Sequence, residues 1–276
     1  MKIRHSLFAL LALSVATPAL AFDLPPPVEA PEYTGTISGV SGWYIRGDLG
    51  YNASLDAGKP SWENYNAGNN SYQDVPFDSA RLDGNFNLST GAGYQFNDYF
   101  RTDLTLDYFK TDFEGKSTRN GPCSGAQLPG TKCGYSHTDS LASLGLLANA
   151  YVDLGTVWGF TPYVGAGAGV ASVDWKGMTT SKYCSGNGCD NAVKYKDEET
   201  TGIESWRFTY ALMAGVSYDV AARTKLDFGY RYANIAGGDM TDYSEADQKK
   251  GAKNPKGKDD GIGRHEIRMG LRLTTW

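Results

Sequence analysis

The feature that most constrains this chain is a period of two that returns eight times. Trp43, Ile45, Gly47, Leu49, Tyr51, Ala53 and Leu55 alternate with Tyr44, Arg46, Asp48, Gly50 and Asn52. The same pattern runs through about 86–96, 100–108, 142–153, 164–170, 206–217, 225–232 and 266–273. Successive side chains of a strand point to opposite faces, so each stretch predicts a strand with one apolar and one polar face. A tilted strand needs about 9–11 residues to cross a bilayer, close to the lengths seen here.

The connections carry a second pattern. Those around Asn97-Asp98, Gly155 to Gly159 and Asp219 to Arg223 are short. Those at 56–84, 112–139, 174–204 and 233–264 are long and polar. Short and long alternate throughout. This predicts an all-β fold, an eight-stranded antiparallel transmembrane β-barrel with long extracellular loops and short periplasmic turns. Both termini then lie on the periplasmic side.

A soluble eight-stranded barrel would bury its apolar face instead. Three features favour the membrane. Aromatics gather near strand ends (Trp43, Tyr94, Phe96, Tyr99, Phe100, Trp158, Phe160, Trp206, Tyr218, Tyr232), as expected at two lipid–water boundaries. The polar face holds both charge signs: Arg46, Arg101, Arg207, Lys225, Arg231, Arg268 and Arg272 with Asp48, Asp103, Asp107, Asp227 and Glu266. Buried charges must pair, and this set can form a lumen charge network. Glycines among them leave room in a bore that eight strands make only just wide enough for side chains.

The N-terminus supplies the compartment. Lys2, Arg4 and His5 precede an apolar run from Leu7 to Val15 and the triplet Ala19-Leu20-Ala21, the three parts of a secretory signal peptide. The domains expected are therefore a signal peptide at 1–21, a Pro-rich periplasmic linker at 22–42 carrying Pro25-Pro26-Pro27, and a barrel at 43–276. Cys123, Cys133, Cys184 and Cys189 fall in two loop stretches, and in an oxidising compartment they read as disulfides. Local and cross-loop pairings both remain open, since spacing cannot fix connectivity. The zinc alternative lacks tight Cys-x-x-Cys pairs, so neither metal nor cofactor is expected. A net charge of −5 argues against nucleic acid as a partner.

Three stretches resemble one family. Gly42-Trp43-Tyr44-Ile45-Arg46-Gly47-Asp48-Leu49-Gly50-Tyr51, Thr161-Pro162-Tyr163-Val164-Gly165-Ala166-Gly167-Ala168-Gly169 and His265-Glu266-Ile267-Arg268-Met269-Gly270-Leu271-Arg272 are similar to strands of the small opacity-protein-like, surface-antigen porin barrels of alphaproteobacteria. The resemblance covers about residues 40–276. It implies the outer membrane of a Gram-negative bacterium, with outer-membrane lipid, lipopolysaccharide and the barrel-assembly machinery as partners, and a host or surface ligand at the loops. It also implies that Trp276 is the C-terminal assembly signal. Strict alternation puts Trp276 opposite Leu271 and Leu273, and a bulge near Thr274-Thr275 would restore it.

Function has three candidates. The leading expectation is a non-enzymatic barrel serving envelope structure and surface recognition or adhesion through its loops. A small porin-like diffusion channel is the alternative. A rim hydrolase acting on lipid A or peptides is the third, because His137 in Ser136-His137-Thr138-Asp139-Ser140 and His265 both lie near the outer rim. No fixed spacing brings these groups together. The lysines at 249, 250, 253, 256 and 258 could contact acidic glycans or lipopolysaccharide phosphates, although Glu245, Asp247, Asp259 and Asp260 offset them.

Overall fold

The computed structural model describes residues 41–121, 123, 130–186, 189, 193–253 and 255–275. The expected signal peptide, nearly all of the linker and Trp276 lie outside them. The strands in chain order are β1 (Gly42–Asp56), β2 (Ser61–Asn66), β3 (Ser71–Pro76), β4 (Ser79–Leu82), β5 (Asn85–Gln95), β6 (Phe100–Asn120) and β7 (Lys132–Asp153). There follow β8 (Phe160–Trp175), β9 (Thr179–Ser185), β10 (Glu198–Glu199), β11 (Glu204–Ala221), β12 (Thr224–Thr241), a one-turn helix α1 (Glu245–Lys249) and β13 (Gly257–Thr274).

Eight long strands close a ring in the order β1, β5, β6, β7, β8, β11, β12, β13, which returns to β1. Each pairing in the ring is antiparallel. The eight strands coincide with the eight alternating stretches of the sequence. Closure leaves no open edge in the ring, the condition for backbone to cross hydrocarbon.

The faces are decided by exposure. Trp43 is 64% exposed, Phe86 66%, Leu88 62% and Ile267 65%, while Arg46, Arg101, Arg231 and Glu266 are buried. A protein that turns its leucines and phenylalanines outward and its arginines inward has its solvents reversed, and only a lipid exterior makes that stable. Outward positions change to charged residues at Lys110, Asp174 and Glu204, which mark the outer edge of the apolar band.

Beyond that edge the strands continue, and here the sequence reading is corrected. The stretches 112–139 and 233–264 are mostly strand, because β6 reaches Asn120, β7 begins at Lys132, β12 reaches Thr241 and β13 begins at Gly257. Alternation persists in them, but their outward side faces water and is polar. They therefore resembled loops. A second correction concerns Leu55. Register shifts between Asn52 and Ser54 where β1 meets β13, and such a bulge reverses every later side chain. Leu55 thus turns inward and packs on the outer core instead of facing lipid.

Parts of the long connections are themselves sheet. β2 pairs with β3 and β13, β4 with β6, β9 with β7, and β10 with β9. Inside the extended barrel lies an apolar cluster that includes Phe109, Phe113, Leu141, Val173, Trp175, Met240 and Ile262. This cluster was not expected from the sequence, where the inner face was singled out for its charges and glycines.

Candidate functional site

The bore opens towards the periplasm. The mouth is a cavity of about 510 Å³ bounded by Gln95, Asp98, Asp153, Asp219, Lys225 and Arg272. Lys225 belongs here: it bridges Asp219 at the rim and is only partly buried. The buried network therefore does not include it, contrary to the sequence reading. Lys225 sits one residue into β12, directly opposite Asp219 of β11, and is held at the rim by that pair.

Above the mouth the charges interlock. Arg101 Nε donates to Asp153 at 3.1 Å. Arg46 bridges Asp48 at 2.6 Å and Asp103 at 3.0 Å. Arg272 reaches Asp227 at 3.1 Å, and Arg268 reaches Asp48 at 3.3 Å and Glu266 at 2.9 Å. Arg231 lies 2.6 Å from both Asp107 and Glu266, and Arg264 is 2.6 Å from the other Asp107 oxygen. Arg207 pairs at 2.6 Å with Asp259 in the outer half of the barrel, apart from the rest. Arg264, Asp153 and Asp259 were missed in the sequence because they lie outside or at the ends of the stretches first read as strands.

Aromatic rings complete this layer. The Arg101 guanidinium carbon lies 4.0 Å from the Tyr151 ring centre, Arg264 4.2 Å from Phe109, and Arg272 5.4 Å from Tyr44. Some nitrogens of these arginines have no hydrogen-bond partner among the described residues, and ring faces offer cations a second kind of contact. The glycines make room for these rings and for carboxylates as much as for arginines. A Cβ on Gly93 would meet Tyr44 Cζ at 2.4 Å, and one on Gly270 would meet Asp48 Oδ1 at 2.1 Å. The cavity remaining between Arg46, Asp48, Tyr151 and Arg268 is about 10 Å³.

The apolar cluster sits above, and over it opens a cavity of about 250 Å³. Residues from all four long connections and the strands that bear them meet there: Trp62 and Glu63 of β2, Tyr135 and His137 of β7, Thr180 of β9 and Glu198 of β10, and Tyr243 and Lys256 beside α1. The Trp62 ring centre is 5.8 Å from that of Tyr135 and 5.9 Å from that of His137. Lys256 is paired with Glu198, Lys258 with Glu63 and Lys250 with Asp247. The fourth connection is thus not a free basic patch.

The rim histidines are not brought together. His137 is buried, with Nε2 3.0 Å from Ser117 Oγ and Nδ1 3.0 Å from Thr180 Oγ1. Burial, with Lys256 nearby, lowers it to about 4. Ser136 falls on the opposite face of β7 from His137. His265 is on the outer wall, 2.5 Å from Tyr230 Oη. The Asp139 carboxylate accepts from the backbone N–H of Ser140 and Gly177, and burial raises it to about 6.

The cysteines pair locally, Cys123 with Cys133 and Cys184 with Cys189. Cys133 and Cys184 stand opposite each other across β7 and β9. The two bridges therefore clasp neighbouring loops at the same level.

Residues 7–257 match the family described as "Outer membrane protein beta-barrel domain". The chain belongs to this outer-membrane barrel family. Its place is the outer membrane of a Gram-negative bacterium. Among relatives of this outer-membrane barrel, a protein of Brucella abortus (strain 2308) is 38% identical over 248 residues, 84% of each chain. A protein of Rickettsia canadensis (strain McKiel) named as an adhesin is 30% identical over 158 residues, 56% of this chain and 62% of that one. Among solved structures, Neisserial surface protein A is 16% identical with a TM-score of 0.42, covering 85% of this chain and 98% of that chain. OprG from Pseudomonas aeruginosa is 13% identical with a TM-score of 0.43, covering 86% and 96%.

Proposed function

We propose that this protein is a closed surface barrel whose work is recognition: the strands anchor it, the interior charges brace and plug it, and the outer assembly presents a binding surface. The observation that carries this reading is the constriction at Arg46, Asp48, Tyr151 and Arg268. Its cavity of about 10 Å³ is no larger than the roughly 10–15 Å³ needed for one water. The apolar cluster above adds a second barrier to ions. In contrast, the outer cavity gathers residues from four separated parts of the chain, which a mere anchor does not require. The adhesin-named Rickettsia relative is in keeping with a surface role. The proposed role is non-enzymatic. His137 contacts two hydroxyls and an aromatic ring, and Ser136 turns away from it.

Planar-bilayer recording of the folded protein tests this. Silence beside an intact barrel signature in circular dichroism is the expected result. Discrete, reproducible single-channel steps would replace this reading with the diffusion channel.

A further inference from the structure

The four cysteines meet at one level of the outer overhang. Cys133 on β7 stands directly opposite Cys184 on β9, and side chains so paired share one face of the sheet. Facing residues of antiparallel strands are about 4.5–5.5 Å apart at Cα, inside the roughly 4.4–6.8 Å that a disulfide spans. A bridge across the strands therefore fits where the two local bridges already are. The other local bridge lies against the same spot: Cys123 Sγ is 3.4 Å from the carbonyl oxygen of Tyr183, the residue before Cys184. The register is held as well. The Tyr183 ring lies over Gly134, its partner on β7, where a Cβ would collide with it. Exposure differs among the four sulfur-bearing residues. Cys133 is fully buried, whereas Cys123, Cys184 and Cys189 are half-buried. Cys189 lies beyond the end of β9, outside the paired strands.

We propose that this cluster is a thiol-exchange site, at which a small soluble thiol converts the two local bridges into one cross-strand bridge, Cys133–Cys184. In such exchange a thiolate attacks one sulfur of a disulfide and expels the other. The external thiolate attacks Cys189, the end of its bridge that lies outside the sheet. A bond forms between the incoming sulfur and Cys189 Sγ, and the Cys184–Cys189 bond breaks with its electron pair on Cys184. The Cys184 thiolate then attacks Cys133 Sγ, which burial shields from any external thiol. Cys133–Cys184 forms, Cys123–Cys133 breaks, and Cys123 leaves as a thiolate. It takes up a proton in place of the one the incoming thiol gave up. Two disulfides exist before and two after, so no oxidant or reductant is consumed. Arg119 stands opposite Cys133 on β6, and a cationic neighbour favours a thiolate. The product ties β7 to β9 and holds the external thiol on Cys189.

The test uses the full chain in outer-membrane fragments of a Gram-negative host, with closed barrels identified by their heat-dependent migration in gels. The fragments are incubated with glutathione, quenched with acid, alkylated with N-ethylmaleimide and mapped as unreduced peptides by mass spectrometry. The expected product has Cys133 joined to Cys184, glutathione on Cys189 and maleimide on Cys123. A Cys123–Cys189 bridge beside Cys133–Cys184 supports the proposal equally, since the Cys123 thiolate then displaces glutathione by the same chemistry. Two variants ask the question without an added thiol. Cys123→Ser frees Cys133, and Cys189→Ser frees Cys184. Each variant keeps one bridge and one thiol at that cluster, and Cys133–Cys184 is expected to replace the surviving local bridge as the main species. Glutathione and maleimide confined to Cys184 and Cys189, with Cys123–Cys133 intact, would overturn the proposal. So would a closed barrel that takes up no glutathione, or variants in which the local bridge persists beside a free Cys133 or Cys184.

Discussion

Two side chains two positions apart show how burial acts at the scale of a residue. His137 and Asp139 share the inner face of β7, above the apolar band. Burial lowers the first from 6.5 to about 4 and raises the second from 3.8 to about 6. Folded His137 binds its proton less readily than the unfolded chain does. Its contribution to stability is complete above pH 6.5 and is lost as pH falls towards 4. Asp139 runs the other way: the folded state holds its proton more tightly, so stability declines as pH rises from about 4 to about 6. Over that window the two effects oppose each other. Asp139→Asn removes one of them, so amide protection in the outer half of β7 is expected to fall as pH drops from 6.5 towards 4. In His137→Asn, protection is expected to rise over the same range. Hydrogen exchange across the two variants checks both signs, and matching pH profiles would rule the account out.

At the scale of an element, the strands divide into a spanning part and an overhang. A bilayer needs about 9–11 residues of tilted strand, whereas β6 has 21 and β7 has 22. The surplus carries β4 and β9 at its sides. The Cys123–Cys133 bridge closes the β6–β7 connection, and Cys184–Cys189 closes the end of β9. In the chain-entropy picture, bridges over such short loops are each worth about 2–3 kcal/mol. Replacing Cys184 and Cys189 by serine is expected to raise hydrogen exchange in β9 and the facing 132–138 stretch, while the spanning strands keep their protection. Equal loosening of the whole barrel would contradict the division. The disulfides show the limits of the sequence at this scale. Its cysteine count predicted bridges but left local and cross-loop pairing open; the fold brings Cys133 opposite Cys184 across β7 and β9 and still bonds each to its local partner, a choice no local pattern announces.

For the whole molecule, the interior charges join strands that are far apart in sequence. Asp107 on β6 accepts from Arg231 on β12 and Arg264 on β13, residues 124 and 157 positions away. Removing one partner of a buried pair leaves the other charged and desolvated, at a cost of about 3–5 kcal/mol. Asp107→Ala is expected to lower barrel stability by that order, read as the urea midpoint in detergent. Asp219→Ala breaks the rim pair with Lys225 and should cost only about 0–1 kcal/mol. Equal midpoints for the two variants would mean that the network does not brace the barrel.

The sequence by itself determined the number of strands, their order, the alternation of short and long connections and the face turned to lipid in the spanning part. These follow from a period of two and from turn composition, which are properties of neighbouring residues. Ten of the charged residues singled out from the alternation line the bore as a connected or paired set, for the same reason; Lys225 at the rim and the isolated level of Arg207 do not follow from it. Tertiary structure decided which arginine meets which carboxylate, because partners such as Arg231 and Asp107 are set by the register of a closed ring. It also decided where Leu55 points, since a single bulge reverses a strand's parity. The overhang, its apolar core and the cavity above them were hidden for a related reason. Beyond the lipid the outer face meets water, so alternation no longer separates membrane from interior, and residues from four connections acquire a common site only when the barrel brings them to one end.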